Sequence, residues 1–242
     1  MNADDMKRQA AARAMDFVED GMRLGLGTGS TTAHFVSMLG ERVKAGLNVV
    51  CVPTSQVTEK QARDLDIPLI ALDDVRVLDL TVDGTDEIDA ELRLIKGGGG
   101  ALLREKIVAS ASEQMIIIAD ESKSVEILGA FSLPVEVVPF GLTTTQAMIE
   151  LLAADAGCLG TITLRKMPSG DVFVTDGGHH ILDCAFGRIP EPEVLDDALK
   201  MIPGIVETGL FIGIADLAII AGRQGLKEMA AEDFDIGEES WS

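Results

Sequence analysis

Apolar side chains at Met6, Ala10, Ala14, Phe17 and Val18 share one face at helical spacing, which predicts an amphipathic helix over residues 4–19. A short apolar run at 22–27 then predicts a strand, and the helical period returns in TTAHFVSMLGERV at 31–43, so a glycine-rich turn joins strand to helix. The pattern repeats as strand 48–52, helix 54–65, a short strand near Leu69 and strand 77–82. After the glycines at 97–100 comes a helix, ALLREKIVASAS, and then MIIIAD at 115–120, an almost purely apolar buried strand. Strands of this kind alternating with helices predict a mostly parallel sheet covered by helices.

The style changes at LPVEVVPF, where prolines and alternating valines mark a domain boundary around 131–139. Beyond it the periodicities predict strand 135–138, helix 144–154, strand 161–166, strand 172–175 with a second piece at 180–184, helix 193–201 and strand 206–210. That β-α-β-β-α-β order is the split βαβ arrangement, and Pro192 and Gly204 bound its second helix. ADLAIIAG at 215–222 reads as another buried parallel strand returning to the first sheet. The expected organisation is α/β: a Rossmann-like, mostly parallel sheet domain from 1–130 plus 211–242, and a smaller α+β (split βαβ, ferredoxin-like) domain from 131–210. The acidic tail after Met229 is expected to fray.

Composition narrows the function. Hydrophobic residues make up 47% of the 242, enough for a substantial core, so disorder of the whole chain is excluded. Forty acidic residues against twenty basic ones give a formal charge of −20, which disfavours nucleic acid and anionic membranes as partners and requires local positive charge around any anionic substrate. Aromatics are 4% with no Tyr, too few for a base-stacking platform. The N-terminal segment has no apolar h-region and no stretch reaches the roughly 18 apolar residues of a membrane span, so a soluble, unexported, cytoplasmic protein is expected. Cys51, Cys158 and Cys184 fit neither a disulfide framework nor a CxxC spacing.

Three segments could carry chemistry. Thr28, Gly29, Ser30 and Thr31 stand where a strand runs through glycines into a helix start, a cradle for a phosphate; it is neither a GxGxxG fingerprint nor a P-loop, and the alternative is an ordinary turn capped by Ser30 or Thr31. Asp83, Gly84, Thr85, Asp86, Glu87 and Asp89 follow a strand at its C-terminal end, the edge where open α/β sheets bind ligands. Close carboxylates suit acid–base work; a Mg²⁺ site and solvated turn acids are the competitors, but the spacing matches no EF-hand loop. Lys96 precedes four glycines, Gly97, Gly98, Gly99 and Gly100, whose entropic cost points to a close backbone approach to a ligand. Glu105 follows near a helix start on the apolar face, as a desolvated base or a surface Glu balanced by Arg104 and Lys106. Lys123 could reach the same sheet edge, Lys7 is exposed by default, and His34, His179 and His180 show no triad or metal spacing.

GTGSTTAHF, VDGTDE, IKGGGGALLREKI and IIIADESK, in this order and spacing, strongly resemble type A ribose-5-phosphate isomerase, and EILGAFSLPVEVVPF and IPGIVETGLF carry the resemblance through the second domain. The resemblance implies isomerisation of ribose 5-phosphate and ribulose 5-phosphate in the non-oxidative pentose phosphate pathway, with no cofactor and no metal, by a homodimer or a dimer of dimers. It implies Glu105 as proton acceptor, with Asp83, Asp86 and Lys96 as its catalytic partners. Sugar-phosphate contacts are implied at Thr28, Gly29, Ser30, Thr31, Asp83, Gly84, Thr85, Asp86, Lys96, Gly97, Gly98, Gly99 and Lys123, and at Lys7. Many relatives read DGADE and KGGGAALTREK, so Thr85, Gly100 and Leu103 are departures. Two other functions compete: a non-catalytic sugar-phosphate-binding regulator, for which no DNA-binding helix-turn-helix is evident before Met22, and an acyl-CoA transferase using Glu105 as nucleophile.

Overall fold

The structure is a computed structural model that describes residues 2–232 and Phe234. The chain opens with α1 (Ala3–Ala14), whose Asn2 and Asp5 form a reciprocal capping box. The helix is shorter than its apolar period suggests, because Met15–Phe17 tightens into a 3-10 turn and Val18 is extended, leading the chain to β1 (Arg23–Leu26). Next come α2 (Ser30–Lys44), β2 (Val50–Pro53), α3 (Gln56–Asp64), β3 (Leu80–Asp83), β4 (Glu87–Ile88), β5 (Leu94–Ile95), α4 (Leu102–Ser110) and β6 (Met115–Asp120). The second half holds β7 (Leu133–Val137), α5 (Leu142–Asp155), β8 (Thr161–Leu164), β9 (His180–Ala185), α6 (Pro192–Lys200), β10 (Ile205–Thr208), β11 (Leu210–Phe211), β12 (Leu217–Gly222) and β13 (Gly225–Ala230).

Three sheets result. The main one runs β13-β12-β6-β3-β1-β2, parallel except for the antiparallel edge strand β13. β6 and β12 are buried at every position, as their uninterrupted apolar runs require of central parallel strands. The order matters for the site. From β1 the chain steps outward to β2 and then returns across β1 to β3, so the crevice between the C-terminal ends of β1 and β3 is a topological switch point. The second sheet runs β10-β7-β9-β8, antiparallel throughout, with α5 and α6 in the connections, which is the ferredoxin-like order. Its apolar face packs Leu133, Val135 and Val137 against Ile149, Leu195 and Leu199 of those helices.

A third, three-stranded sheet, β11-β5-β4, has no counterpart in the sequence reading, since two-residue strands are too short to show a period. Two expected strands are also absent as strands. Leu69 makes a single bridge to Cys51, and Val172 a single bridge to Lys166; Thr175 closes a turn with His179 instead, so the hairpin partner of β8 is the piece at β9. The segment 215–222 does return to the main sheet, parallel to β6. Met229 and Ala230 do not fray, because both are paired with β12; the rest of the acidic tail, Phe234 aside, lies outside the described residues beyond 232.

Candidate active site

β1 ends beneath a turn in which Gly27 permits contact with β3: a Cβ there would lie 2.0 Å from Asp83 Oδ1. Gly29, at φ +126°, is the N-cap of α2 and offers no side-chain cap; neither Ser30 nor Thr31 caps the helix, so its first amides remain available to an anion. Lys7 reaches over from α1 and donates to Ser30 Oγ at 2.9 Å. Under this turn lies a cluster of hydroxyls: Thr28 Oγ1 is 2.8 Å from Thr54 Oγ1, 2.7 Å from Ser55 Oγ and 3.1 Å from Thr58 Oγ1. Ser55 also caps α3 by accepting from Thr58 N–H, so one network ties the turn to a second helix start.

Asp83 ends β3 with no exposed surface. Its Oδ1 accepts from the backbone N–H groups of Thr28 (3.0 Å) and Gly84 (2.7 Å), and its Oδ2 lies 2.9 Å from Lys96 Nζ. Lys96 is placed by the small third sheet: its N–H donates to Gly209 O just past β10, and it follows directly on β5. The ammonium also donates to Gly84 O at 2.6 Å and lies 3.5 Å from Glu105 Oε2. Phe211 lies between Lys96 and Lys106, with its ring centroid 5.4 and 4.8 Å from the two ammonium nitrogens. Asp86 accepts from Gly98 N–H at 2.7 Å, and the Thr85 hydroxyl donates to Glu87 O and Ile95 O.

Glu105 sits in the first turn of α4, and its Oε2 is buried without a hydrogen-bond donor. Burial above all, with the neighbouring charge of Asp83, pushes its carboxyl up to about 8, while Lys96 pulls the other way. Burial raises the Asp83 carboxyl too, opposed by Lys96 and the two backbone donors. For Lys96 burial acts downward, but the charges of Asp83 and Glu105 outweigh it and keep the ammonium protonated. Of the two carboxyls, Glu105 is the one that also lines the cavity.

A cavity of about 110 Å³ opens here. It is lined by Lys7, Thr28, Gly29, Ser30, Thr31, Gly84, Thr85, Asp86, Lys96, Gly97, Gly98, Gly99, Glu105 and Lys123. The implied sugar-phosphate contacts and Glu105 are all among them except Asp83, which stands behind Lys96 and does not face the cavity. Of the other acids in that segment, Glu87 turns away to accept from the Gly129 and Phe131 N–H groups and Asp89 pairs with Arg93, and Gly100 is covered by Phe173. The histidines lie elsewhere: His34 pairs with Asp4 and His179 with Glu136. A larger cavity, about 400 Å³, lies between α3 and α4, but its lining is chiefly apolar and two of its charged members, Glu59 and Arg63, pair with each other. The sequence reading did not single out Thr54, Ser55, Thr58, Arg165, Phe173 or Phe211. The N-cap signal at Ser55 was available, but its contact with Thr28 exists only once β1 and β2 pair.

A carboxyl poised near neutrality, an ammonium beside it and an anion-binding helix start on the same cavity define an enzyme that moves protons on a small phosphorylated substrate. The comparisons with known proteins name the family. The chain belongs to the ribose 5-phosphate isomerase A (phosphoriboisomerase A) family, whose model matches residues 50–225. It is 59% identical to ribose-5-phosphate isomerase A of Rhodopseudomonas palustris (strain HaA2) over 94% of this chain and 98% of that protein. Identity to the protein of the same name from Nitrobacter hamburgensis is 60%, with the same coverage. Among solved structures, ribose 5-phosphate isomerase from Plasmodium falciparum superposes with a TM-score of 0.90 at 38% identity, covering 95% of this chain and 99% of that one. A D-ribose-5-phosphate isomerase in complex with phospho-erythronic acid gives 0.88 at 40% identity, covering 96% and 100%.

Proposed function

We propose that the protein interconverts ribose 5-phosphate and ribulose 5-phosphate by proton transfer through an enediolate, with Glu105 as the base. The observation that carries this reading is the unpartnered Glu105 oxygen beside the Lys96 ammonium in a cavity floored by the start of α2. The Glu105 carboxylate removes the proton from C2 of the open-chain aldose; the electron pair forms the C1–C2 double bond and charge passes to O1. Returning the proton to C1, with the O2 proton passing to O1, gives the ketose. The Lys96 ammonium donates to Gly84 O and is ion-paired with Asp83 at 2.9 Å, which leaves it N–H capacity on the cavity side to meet the developing oxyanion.

Asp83, with no surface on the cavity, acts through Lys96 by fixing its charge and position. Asp86 lines the cavity and is the carboxylate placed to exchange oxygen protons and assist ring opening. Ser30, Thr31, Lys7, Lys123 and the α2 amides hold the phosphate, countering locally the repulsion from a chain of charge −20. Assay of the purified protein for ribose 5-phosphate to ribulose 5-phosphate conversion tests the reading, and absence of turnover refutes it. Because the Lys96 ammonium stands between Asp83 and Glu105 where a cation would have to sit, activity is expected to survive exhaustive EDTA treatment. Loss of activity restored by Mg²⁺ or Mn²⁺ would make the carboxylates ligands instead.

We further infer a cytoplasmic homodimer or dimer of dimers, with the chain divided near residues 130 and 211 into its two domains. No helix among the described residues is long and apolar enough to cross a membrane. Phe140, Leu151 and Met201, all largely exposed in and around α5 and α6, offer apolar surface for a second copy. Sedimentation velocity at micromolar concentration tests the assembly, and a monomer would refute it.

A further inference from the structure

The four-glycine loop at 97–100 carries Lys96 at its start and presents Gly98 N–H to Asp86, yet two of its carbonyls are held from the small antiparallel sheet. Arg165, just past β8, grips the carboxylate of Asp183 on β9 through Nε at 2.9 Å and Nη2 at 2.5 Å. Its remaining nitrogen, Nη1, donates to Gly97 O at 2.8 Å and to Gly98 O at 3.3 Å. The guanidinium lies 5.8 Å from the centroid of Phe173, whose ring fills the place a Cβ on Gly100 would take. A planar fork gripped by a carboxylate at two points keeps little freedom, whereas consecutive glycines have the most of any backbone. The loop's conformation is thus restrained from outside itself, by a side chain with no surface on the cavity.

We propose that Arg165, locked by Asp183, is a positioning residue that sets the 97–100 loop, and with it Lys96 and the Gly98 N–H, against the reacting carbons. This makes the small domain a working part of the active site and not only a neighbour of it. The proposal rests on the isomerase reading above and adds a role for residues that do not touch substrate. It separates the two ends of the site. Among the described residues no hydrogen bond or ion pair joins Arg165 to the start of α2 or to Lys123, while the end where charge develops is tied to it through the loop.

The test compares wild type with Arg165→Met, Arg165→Lys and Asp183→Asn, using inorganic phosphate and 4-phospho-erythronate as probes. The second is a phosphorylated aldonate whose carboxylate mimics the charge of the enediolate. For Arg165→Met the expected result is phosphate affinity within about twofold of wild type, 4-phospho-erythronate affinity reduced about tenfold or more, and kcat reduced about tenfold with KM little changed. Arg165→Lys should recover part of the loss, because an ammonium can hold Asp183 or the carbonyls but not both in the fork geometry. Should Arg165→Met fail to fold, the Lys and Asn variants carry the same comparison. Equal loss of affinity for both probes, or unchanged kcat per folded molecule alongside a lowered Tm, would overturn the positioning role. A wild type that does not isomerise ribose 5-phosphate would instead overturn the isomerase reading, so the two failures are distinguishable.

Discussion

At Glu105, chemistry and stability are set against each other. A carboxyl of about 8 in the folded chain and near 4.5 when unfolded binds its proton more tightly in the folded state. Stability should therefore fall as pH rises from about 4.5 to about 8, and Glu105→Gln should flatten that slope in denaturation curves measured across the range. The same group makes kcat/KM rise with pH through about 8, and Glu105→Gln should lower kcat at least about 100-fold with the fold intact. The two cavity lysines should separate kinetically. Lys96→Met, measured per folded molecule, should lower chiefly kcat, since its contact strengthens as charge develops. Lys123→Ala should raise KM for ribose 5-phosphate while leaving the slow isomerisation of unphosphorylated ribose unchanged; equal slowing of ribose would show that Lys123 does not act on the phosphate. The segments were legible from the entropic cost of four successive glycines and from acids at the C-terminal end of a strand, but each also had an ordinary structural reading, and the roles of Glu105, Asp83, Asp86 and Lys96 came from the resemblance. That Asp83 faces Lys96 and not the cavity was not legible, since it depends on Gly27 letting β1 and β3 close on one another.

Among the elements, those with a clear period or an unbroken apolar run were the ones readable in sequence. β6 and β12 are buried on both faces, and α2 carries six buried positions on one side. β4, β5 and β11 had no such signal, although together they place Lys96. The piece at 172–175 looked like a strand from its valines, but the turn closed by Thr175 and His179 and the seating of Phe173 over the glycine loop overrode that propensity. This seating also accounts for Gly100. With φ at +77° and Phe173 Cζ 2.4 Å from where a Cβ would be, Gly100→Ala meets both backbone strain and a clash. The strain alone is about 1–2 kcal/mol, so reduced stability in urea and a several-fold lower kcat are expected. Phe173→Ala added to Gly100→Ala should restore only part of the loss, because it removes the clash and leaves the strain.

Over the whole molecule, the site is assembled from segments far apart in the chain: α1, the ends of β1 and β3, the glycine loop, the start of α4 and the turn after β6. The sheet order brings them to one crevice, and the second domain closes on the loop through Arg165 and anchors α4 through Lys106, which donates to Glu207 at 2.7 Å and to Thr208 O. The α/β class and the split βαβ order were legible from alternating patterns. The contacts between the two halves were not, because no local period encodes which side chains of one sheet meet a loop of the other. If Glu105 carries a carbon-bound proton through an enediolate, solvent deuterium must reach carbon during turnover. In heavy water the wild-type protein should place solvent deuterium at C1 of ribulose 5-phosphate, because the carboxyl can exchange its proton before returning it, and Glu105→Gln should lose turnover and labelling together. Product formed at full rate with no deuterium at carbon, or labelling by Glu105→Gln at the wild-type rate, would contradict the account.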